Sequence, residues 1–290
     1  IYVDGFALMA AGRYPELAGK SVLVTGAGRE QGIGATICRR LAVEGCKVAV
    51  SDVPPNSATA AACPAETTSD DVDRVVAGIT ASGGEAIGLS CDVLSETDVS
   101  AAIDATVAAF GGIDILVNNA GIGFLMSPIT ETSAEDWDKV LGVNLRGAFL
   151  ATKHAAKHMI DQGRGGRVIN IASQAAKSGF PYAAGYCSSK HGMIGLTRVS
   201  AIELGQHGIT VNAICPNHIT TGLGAWQNDY FSDALGMTLD EYLEAMRSRI
   251  PLGRPGLTGD IAKACAFLCS DEAVYVTGEA INVSGGEEMH

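Results

Sequence analysis

Seven short apolar segments recur along the chain, and helical patterns occupy most of the intervals between them. Strand and helix alternating this regularly predict right-handed β-α-β crossovers, which join parallel strands within one sheet. We therefore predict an α/β fold: a single Rossmann-type, doubly wound parallel sheet of seven strands with helices on both faces. The predicted strands are residues 21–24, 47–51, 86–91, 114–117, 167–172, 209–214 and 280–284. The predicted helices are residues 32–43, 70–81, 96–110, 134–161, 186–206 and 259–269.

The composition supports one domain and excludes several kinds of partner. Hydrophobic residues make up 47% of the 290-residue chain, and no proline- or serine-rich linker or charge block divides it. The formal net charge of −12 makes nucleic acid or an anionic membrane surface an unfavourable partner. We therefore expect small molecules as ligands, with neither nucleic acid nor membrane among the partners.

The cysteines and the hydropathy pattern bear on location. Eight cysteines are scattered without a C-x-x-C pair, which favours reduced structural thiols over a disulfide framework or a metal site. No apolar run approaches the roughly 18 residues that a membrane-spanning helix needs, and the first residues lack a basic leader. On these grounds we expect a cytoplasmic protein without a bound metal.

A glycine-rich turn, TGAGREQGIG, follows the first predicted strand and precedes the first predicted helix. Its glycines let backbone N–H groups approach an anion, and the following helix points its positive N-terminus at the same place. Such turns also join strands to helices that bind nothing. Asp52 favours binding, because it ends the second strand 20 residues after Gly32, where a dinucleotide site places an acid beside the adenosine ribose. The alternative for Asp52 is a solvated loop acid.

Tyr186 and Lys190 lie four residues apart in GYCSSKHG, at the start of a predicted helix, so that both project from one face. A phenol has a pKa of about 10, which is too high for ready proton exchange at neutral pH. An ammonium about 4 Å away favours the phenolate by roughly 4 kcal/mol, or about three pKa units, at an effective dielectric constant of about 20. The pair therefore predicts an acid/base site, although a surface helix can carry this spacing by chance.

Three further motifs fall at strand ends or in the helix beside them. They are the NNAG segment at 118–121, Asn144 within WDKVLGVNLRGAFL, and Ser173, which lies 13 residues before Tyr186. With these motifs in this order, residues 18–286 resemble the short-chain dehydrogenase/reductase family. The resemblance implies a nicotinamide dinucleotide as cofactor and hydride transfer as the reaction.

The resemblance also implies a role for each matching residue. Tyr186 would exchange a proton with the substrate hydroxyl, Ser173 would hold the same oxygen, and Lys190 would lower the pKa of Tyr186 and reach the nicotinamide ribose. Asn144 would pass the proton towards solvent through its main chain and a held water, which completes a catalytic tetrad. The cofactor-binding residues that it implies are Gly26, Gly28, Arg29, Gly32, Ile33, Gly34, Asp52, Asp92, Val93, Asn119, Ala120, Gly121, Tyr186, Lys190, Pro216 and Thr221.

The same resemblance gives the expected domain organisation. Residues 1–17 form an N-terminal extension, and residues 18–290 form the Rossmann-fold domain. Within it, residues 222–250 correspond in position to the substrate lid of the family. Three lid aromatics either line an apolar substrate pocket or pack within the lid itself: Trp226, Tyr230 and Phe231.

Three departures from the family pattern concern the cofactor. The glycine turn has five residues, AGREQ, where the family usually has three. Its Arg29 is a candidate partner for the 2′-phosphate of NADP, but Asp52 would repel that phosphate, so we favour NAD. Asn217 stands where the family usually has glycine, and asparagine tolerates the left-handed backbone better than most residues. A long insertion, residues 53–70, follows the second strand. If it packs over the adenine, NAD should dissociate slowly.

The sequence therefore predicts an NAD-dependent oxidoreductase that interconverts a secondary alcohol and a ketone on a small, mostly apolar molecule. Two alternatives stay open: an NADPH-dependent ketone reductase and a catalytically silent dinucleotide-binding regulator. The helices predicted at 134–161 and 186–206 carry apolar residues on more than one face, and members of the family commonly pair through the equivalent helices. We expect a homotetramer, with a homodimer as the alternative.

Overall fold

The structure is a computed structural model, and it describes residues 13–54, 57, 71–123 and 125–289. The strands are β1 (Ser21–Val24), β2 (Lys47–Asp52), β3 (Glu85–Ser90), β4 (Ile115–Asn118), β5 (Gly166–Ile171), β6 (Ile209–Pro216) and β7 (Ala280–Val283). The described helices are α1 (Ile33–Val43), α2 (Asp71–Ala81), α3 (Glu96–Phe110), α4 (Ala134–Leu141), α5 (Gly147–Gln162), α6 (Ala184–Leu204), α7 (Gly222–Leu235), α8 (Leu239–Arg249) and α9 (Thr258–Cys269).

All seven strands are parallel and pair in the order β3-β2-β1-β4-β5-β6-β7. Strand order therefore reverses between β1 and β4, which is the point where open sheets of this kind bind ligands. The predicted fold, a seven-stranded doubly wound parallel sheet, is confirmed. Each predicted strand matches the observed one to within two residues at either end.

Each face of the sheet packs against a hydrophobic core, and the side chains of β1 alternate between the two cores. Val22 and Val24 belong to the cluster that contains Ile37 of α1, whereas Leu23 belongs to the cluster that contains Ile103 of α3. All five side chains are at most 1% exposed. Helices thus cover both sides of the sheet, and the connections to them leave the strands at the carboxyl edge.

The long helix predicted at 134–161 is wrong in one respect, because α4 and α5 are separated by a π turn, Gly142–Arg146. In that turn the N–H of Gly147 donates to the carbonyl of Gly142, five residues earlier. The turn contains Asn144, whose side chain is bound to a neighbouring loop, as described below. Apolar periodicity cannot reveal one inserted residue, and π turns occur frequently at functional sites.

Buried polar side chains tie the carboxyl ends of β4 and β5 to two helices. Asn118 Nδ2 donates to Asn170 Oδ1 (2.8 Å) and to Thr152 Oγ1 of α5 (3.0 Å). Asn170 Nδ2 donates in turn to Thr197 Oγ1 of α6 (2.8 Å). All four residues are at most 5% exposed, so these hydrogen bonds are shielded from water. They fix α6, which carries Tyr186, relative to the sheet.

The segment before β1 is bound to the C-terminal end of α1 through Glu44. One carboxylate oxygen of Glu44 accepts the N–H groups of Arg13 (2.6 Å) and Tyr14 (2.9 Å), and the other accepts Nε of Arg40 (2.8 Å). Whether residues 1–17 form a separate extension stays a prediction, since residues 1–12 lie outside the described residues.

The insertion predicted at 53–70 is described only at Val53, Pro54 and Ser57. The expectation that it packs over the adenine and slows NAD release therefore lies outside the described residues. In the part of the chain that the structure does describe, no helix is long and apolar enough to cross a membrane. The seven cysteines in the described part of the chain are free thiols. Among all the described residues, no group of His, Cys, Asp or Glu side chains could hold a metal ion.

Candidate active site

A cavity of about 730 Å³ lies at the carboxyl edge of the sheet, beside the point where strand order reverses. Most of the predicted site residues line it: Gly26, Arg29, Gly32, Ile33, Gly34, Asp52, Val93, Asn119, Ala120, Gly121, Ser173, Tyr186, Lys190, Pro216 and Thr221. Three predicted residues, Gly28, Asp92 and Asn144, are not part of its lining. The fold thus brings together groups that are up to 195 residues apart in the chain, from Gly26 to Thr221.

Two glycines of the turn leave no room for a side chain. Gly26 has φ +64°, and a Cβ on it would lie 2.6 Å from Cα of Ala120. A Cβ on Gly34 would lie 2.5 Å from Asn119 Nδ2, and this amide donates to the carbonyls of Thr25 (2.9 Å) and Gly26 (2.7 Å). The turn is therefore held against the end of β4, with its backbone facing the cavity. Close approach of a pyrophosphate requires such a surface.

Asp52 fixes the lengthened part of the turn. Its Oδ2 accepts the N–H of Gly28 (2.7 Å), and its Oδ1 accepts the N–H of Val53 (2.7 Å). Burial raises the pKa of Asp52, while these two hydrogen bonds and the charge of Arg29 act in the opposite direction. Because each carboxylate oxygen has two acceptor positions, Asp52 retains capacity for a ligand hydroxyl in the cavity. Gly28 does not line the cavity, but its N–H group helps to hold the Asp52 carboxylate in place.

Ser173 and Tyr186 both line the cavity, and the side chain of Ser173 is near enough to lower the pKa of Tyr186. Ser173 caps the short 3₁₀ turn Gln174–Ala176, where its Oγ accepts the N–H of Ala175 (3.1 Å). Tyr186 lies in the first turn of α6, and a Cβ on Gly123 would come within 3.1 Å of its ring. Both hydroxyls are therefore held in place by backbone structure.

Lys190 lies one helical turn after Tyr186 and is only 4% exposed. Its Nζ donates to the carbonyl of Ile171 (2.9 Å) and lies 5.8 Å from the centroid of the Tyr186 ring. A Cβ on Gly121 would lie 3.5 Å from this Nζ, which is an ordinary van der Waals contact. Burial lowers the pKa of Lys190 to about 8. The ammonium is thus desolvated and held at the cavity wall.

The expected effect of Lys190 on Tyr186 is wrong for this geometry. Burial raises the pKa of Tyr186 above its ordinary value, and the hydrogen bond from Ser173 offsets only part of that rise. Lys190 is not among the groups that shift this pKa; its Nζ lies 5.8 Å from the ring centroid and donates to the Ile171 carbonyl. The phenol therefore keeps its proton at neutral pH, which suits it to act as an acid.

Asn144 supports the site from behind the cavity wall. It is fully buried, its Oδ1 accepts the N–H of Ile122 (2.8 Å), and its Nδ2 donates to the Ile122 carbonyl (2.9 Å). The same Nδ2 donates to Ser189 Oγ (3.0 Å), which donates to the Tyr186 carbonyl (2.7 Å). Sequence reasoning missed Ser189, although its position three residues after Tyr186 places it on the same helical turn.

The segment predicted to be a lid contains α7 and α8, and its aromatic residues differ in their surroundings. Phe231 lines the cavity, whereas Trp226 and Tyr230 are not among the lining residues. Trp226 stacks on Tyr230 with ring centroids 5.4 Å apart, and Tyr230 makes an edge contact with Phe231 at 5.4 Å. Phe231 stacks on Tyr242 of α8 at 6.5 Å. This aromatic series joins the two lid helices.

The loop after β6 differs from the expectation for Asn217. The left-handed residue is His218, with φ +34°, while Asn217 is buried and donates through Nδ2 to the Glu287 carboxylate. Glu287 also faces His218 Nε2 (3.6 Å) and Arg249 Nε at the end of α8 (3.3 Å). Burial and the charge of Arg249 lower the pKa of His218 to about 4. The side chain of Asn217 is thus used to bind the C-terminal segment.

The parallel sheet and the glycine turn at its reversal point define a class, the Rossmann-type α/β proteins. A family model described as enoyl-(acyl carrier protein) reductase matches residues 26–288. A short-chain dehydrogenase/reductase of Armillaria gallica is 41% identical over 92% of this chain and 95% of its own length. D-threitol dehydrogenase of Mycolicibacterium smegmatis is 38% identical over 93% of each chain.

Solved structures are also similar to this chain. A variant of actinorhodin polyketide ketoreductase, crystallised with NADPH, has a TM-score of 0.84 and 35% identity. The alignment covers 93% of this chain and 98% of that chain. The chain belongs to the short-chain dehydrogenase/reductase family. Its members are oxidoreductases that bind a nicotinamide dinucleotide and act on small molecules.

Proposed function

We propose that the protein is an NAD-dependent oxidoreductase that interconverts a secondary alcohol and a ketone on a small, mostly apolar molecule. The observation that carries this proposal is that Ser173, Tyr186 and Lys190 line one cavity, with the Ser173 side chain near that of Tyr186 and the Lys190 Nζ 5.8 Å from the centroid of the Tyr186 ring. Two hydroxyls that meet in this way can bind one substrate oxygen and exchange a proton with it.

The residues around the glycine turn fit a nicotinamide dinucleotide. Gly26 and Gly34 present backbone where any Cβ would collide with the end of β4, and Gly32 caps α1 without a side chain. These groups would hold the pyrophosphate, Asp52 would bind the adenosine ribose, and Thr221 would hold the carboxamide end. When bound in its oxidised form, the cofactor supplies a hydride acceptor.

Tyr186 would move the proton. In ketone reduction, its phenol gives a proton to the carbonyl oxygen, and the raised pKa of Tyr186 keeps that proton available at neutral pH. In alcohol oxidation, the phenolate accepts the hydroxyl proton, so this direction should become faster as the pH rises. Ser173 would orient the substrate oxygen in both directions, and the Lys190 ammonium would bind the nicotinamide ribose.

Asn144 would complete the proton path through its main chain, and it would also position Tyr186. The side chain of Asn144 binds both backbone groups of Ile122 and, through Ser189, the first turn of α6. The π turn widens the helix at this point. A backbone carbonyl that leaves the regular helical ladder there is free to bind water.

The lining of the cavity supports a small substrate with both apolar and polar parts. Apolar side chains from several elements line it: Met126, Phe180, Ile219, Phe231, Leu243 and Met246. The amide side chains of Gln174, Gln227 and Asn228 line it as well. The names of the relatives, D-threitol dehydrogenase and polyketide ketoreductase, are consistent with alcohol and ketone chemistry.

An NADPH-dependent ketone reductase is the second candidate. Arg29 lines the same cavity as Asp52, and the polyketide ketoreductase variant was crystallised with NADPH. An assay of the protein with NAD and NADP against a panel of secondary alcohols and ketones tests both candidates. Turnover with NAD supports the first, and a preference for NADPH supports the second. Cofactor binding without any turnover would contradict both and leave the silent regulator.

Asp52→Ala is expected to raise the ratio of kcat/KM with NADP to that with NAD by about tenfold. The reason is the loss of a negative charge beside the 2′-position, since 1.4 kcal/mol corresponds to about tenfold. Asp52→Asn should show the same change, because it removes the charge but keeps an acceptor for the Gly28 N–H group. Asp161→Ala, at an exposed acid in α5, serves as the control. An unchanged ratio in both Asp52 variants would show that Asp52 does not face the ribose.

We also propose that the protein assembles as a homotetramer, with a homodimer as the alternative. Phe149 of α5 is 47% exposed, and Val199 and Ile202 of α6 are 53% and 81% exposed. Large apolar side chains on neighbouring helices favour association with another subunit. Light scattering that gives the mass of a single chain would contradict this proposal.

A further inference from the structure

The carboxylate of Glu287 lies where three segments meet: the loop after β6, the end of α8 and the C-terminal segment, residues 284–289. Its Oε2 accepts Asn217 Nδ2 and lies 3.6 Å from His218 Nε2, whereas its Oε1 lies 3.3 Å from Arg249 Nε. The side chain of Glu287 is only 12% exposed. A carboxylate this buried needs partners for its charge. Glu287 therefore joins the loop after β6 to the last residue of α8.

The loop after β6 has a backbone conformation that must be held from outside. His218 has φ +34°, in the left-handed region that favours glycine, and such strain persists only where the surroundings fix it. On one side, the N–H of Gly256 donates to the His218 carbonyl (2.9 Å), and the Gly256 carbonyl accepts the N–H of Thr220 (3.1 Å). On the other side, the buried side chain of Asn217 is bound by Glu287.

The C-terminal segment is itself held in place by two neighbouring segments. The N–H of Leu252, just after α8, donates to the Gly285 carbonyl (3.1 Å), and a Cβ on Gly285 would lie 2.7 Å from Ile250. Next to Glu287, the carboxylate of Glu288 accepts Ser178 Oγ (3.0 Å). These contacts fix the backbone on both sides of Glu287, so its carboxylate is in position before a cofactor binds.

The loop that Glu287 binds belongs to only one end of the cavity. Residues 216–221 line the cavity, and Thr221 is the residue proposed above to hold the carboxamide. The glycine turn and Asp52, at the adenosine end, follow β1 and β2. Strand β6 is three positions from β1 in the sheet, which is about 14 Å at the usual spacing of strands. A change at Glu287 should therefore affect the two ends of a bound dinucleotide differently.

We propose that Glu287 is a positioning residue for the nicotinamide end of the cofactor. Its carboxylate keeps the loop after β6 in the conformation that Thr221 needs, and it sets this loop against the end of α8. Glu287 does not line the cavity, so it acts through Asn217 and the loop rather than by touching the cofactor. This inference rests on the proposed function, because it assigns the carboxamide to Thr221.

The test is calorimetric titration with NAD and with ADP-ribose, which is NAD without its nicotinamide. Glu287→Ala should raise the Kd for NAD by about tenfold, because the cofactor must then order the loop on binding. The Kd for ADP-ribose should stay within about twofold of the wild-type value, since distant sites without shared contacts act independently. Glu287→Gln keeps an acceptor for Asn217, so its Kd for NAD should lie within about threefold of the wild-type value. Glu272→Ala, at an exposed acid before β7, should bind both ligands like the wild type.

Equal losses of NAD and ADP-ribose binding in Glu287→Ala would indicate a general structural role and overturn the inference, and so would an unchanged Kd for NAD. If Glu287→Ala does not fold, Asn217→Ala removes the same hydrogen bond and should show the same selective loss. If the wild type binds NADP instead of NAD, the same comparison is made with NADP and 2′-phospho-ADP-ribose. The selective loss then supports the inference although the choice of NAD fails. A wild type that binds neither dinucleotide would overturn the inference together with the proposed function.

Discussion

Replacing Tyr186 by phenylalanine should lower turnover by a factor of about 10² to 10⁴, the usual contribution of a positioned acid or base. The variant keeps the ring, which lies beside Gly123, and loses only the phenol oxygen. Binding of NAD should change by less than about threefold, because no other cofactor contact is removed. The measurements are steady-state kcat with NAD and a secondary alcohol, and calorimetric titration of NAD.

Tyr275→Phe is the matched control for this prediction. Tyr275 is completely exposed, so loss of its hydroxyl should leave both kcat and NAD binding at wild-type values. A Tyr186→Phe variant with turnover within about threefold of the wild type would contradict the assignment of Tyr186 as the proton donor. A large loss of NAD binding would instead indicate that the phenol acts mainly in holding the cofactor.

Lys190→Met should lower turnover by a comparable factor, because it removes the ammonium that is proposed to bind the nicotinamide ribose at the cavity wall. It should also change the pH dependence of stability. The pKa of Lys190 is lowered from 10.5 to about 8 in the folded protein, so the unfolded chain binds more protons between these values. The stability of the wild type relative to Lys190→Met should therefore rise by up to about 3 kcal/mol from pH 8 to pH 10.5.

Urea unfolding of both proteins between pH 7 and about pH 10 measures this difference. The buried cysteines also titrate at alkaline pH, but they are present in both proteins and their effect cancels in the comparison. Below about pH 8 the difference should be constant, because Lys190 is protonated in both states. A difference that stays constant up to pH 10, or falls, would contradict the lowered pKa.

The sequence predicted the sheet because its central strands β1, β4 and β6 are buried on both faces. Continuous apolar segments such as SVLV are typical of such strands, and their spacing leaves room for one crossover helix each. The turn at 25–34 and Asp52 could be located for the same reason, since parallel strands end at one edge. Motif order then linked Ser173, Tyr186 and Lys190, which the structure places around one cavity.

What the sequence could not predict depends on contacts between distant segments. The π turn at Gly142–Arg146 adds one residue to a helix, and Asn144 within it binds Ile122, which lies 22 residues away in the chain. The raised pKa of Tyr186 reflects burial, which helix spacing does not report. The side chains of Asn217 and Gln174 are bound by the C-terminal segment, because they donate to the carboxylates of Glu287 and Glu288.

The most direct test of the central claim is the transfer of deuterium from a substrate to NAD. A secondary alcohol that is deuterated at its carbinol carbon would be oxidised by the wild-type protein, and the reduced cofactor would be analysed by mass spectrometry. We predict that one deuterium appears in each reduced cofactor molecule, with one ketone formed per NADH and with the rate lost in Tyr186→Phe. Reduced cofactor without deuterium, or no reduction of NAD by any alcohol of the panel, would contradict the account.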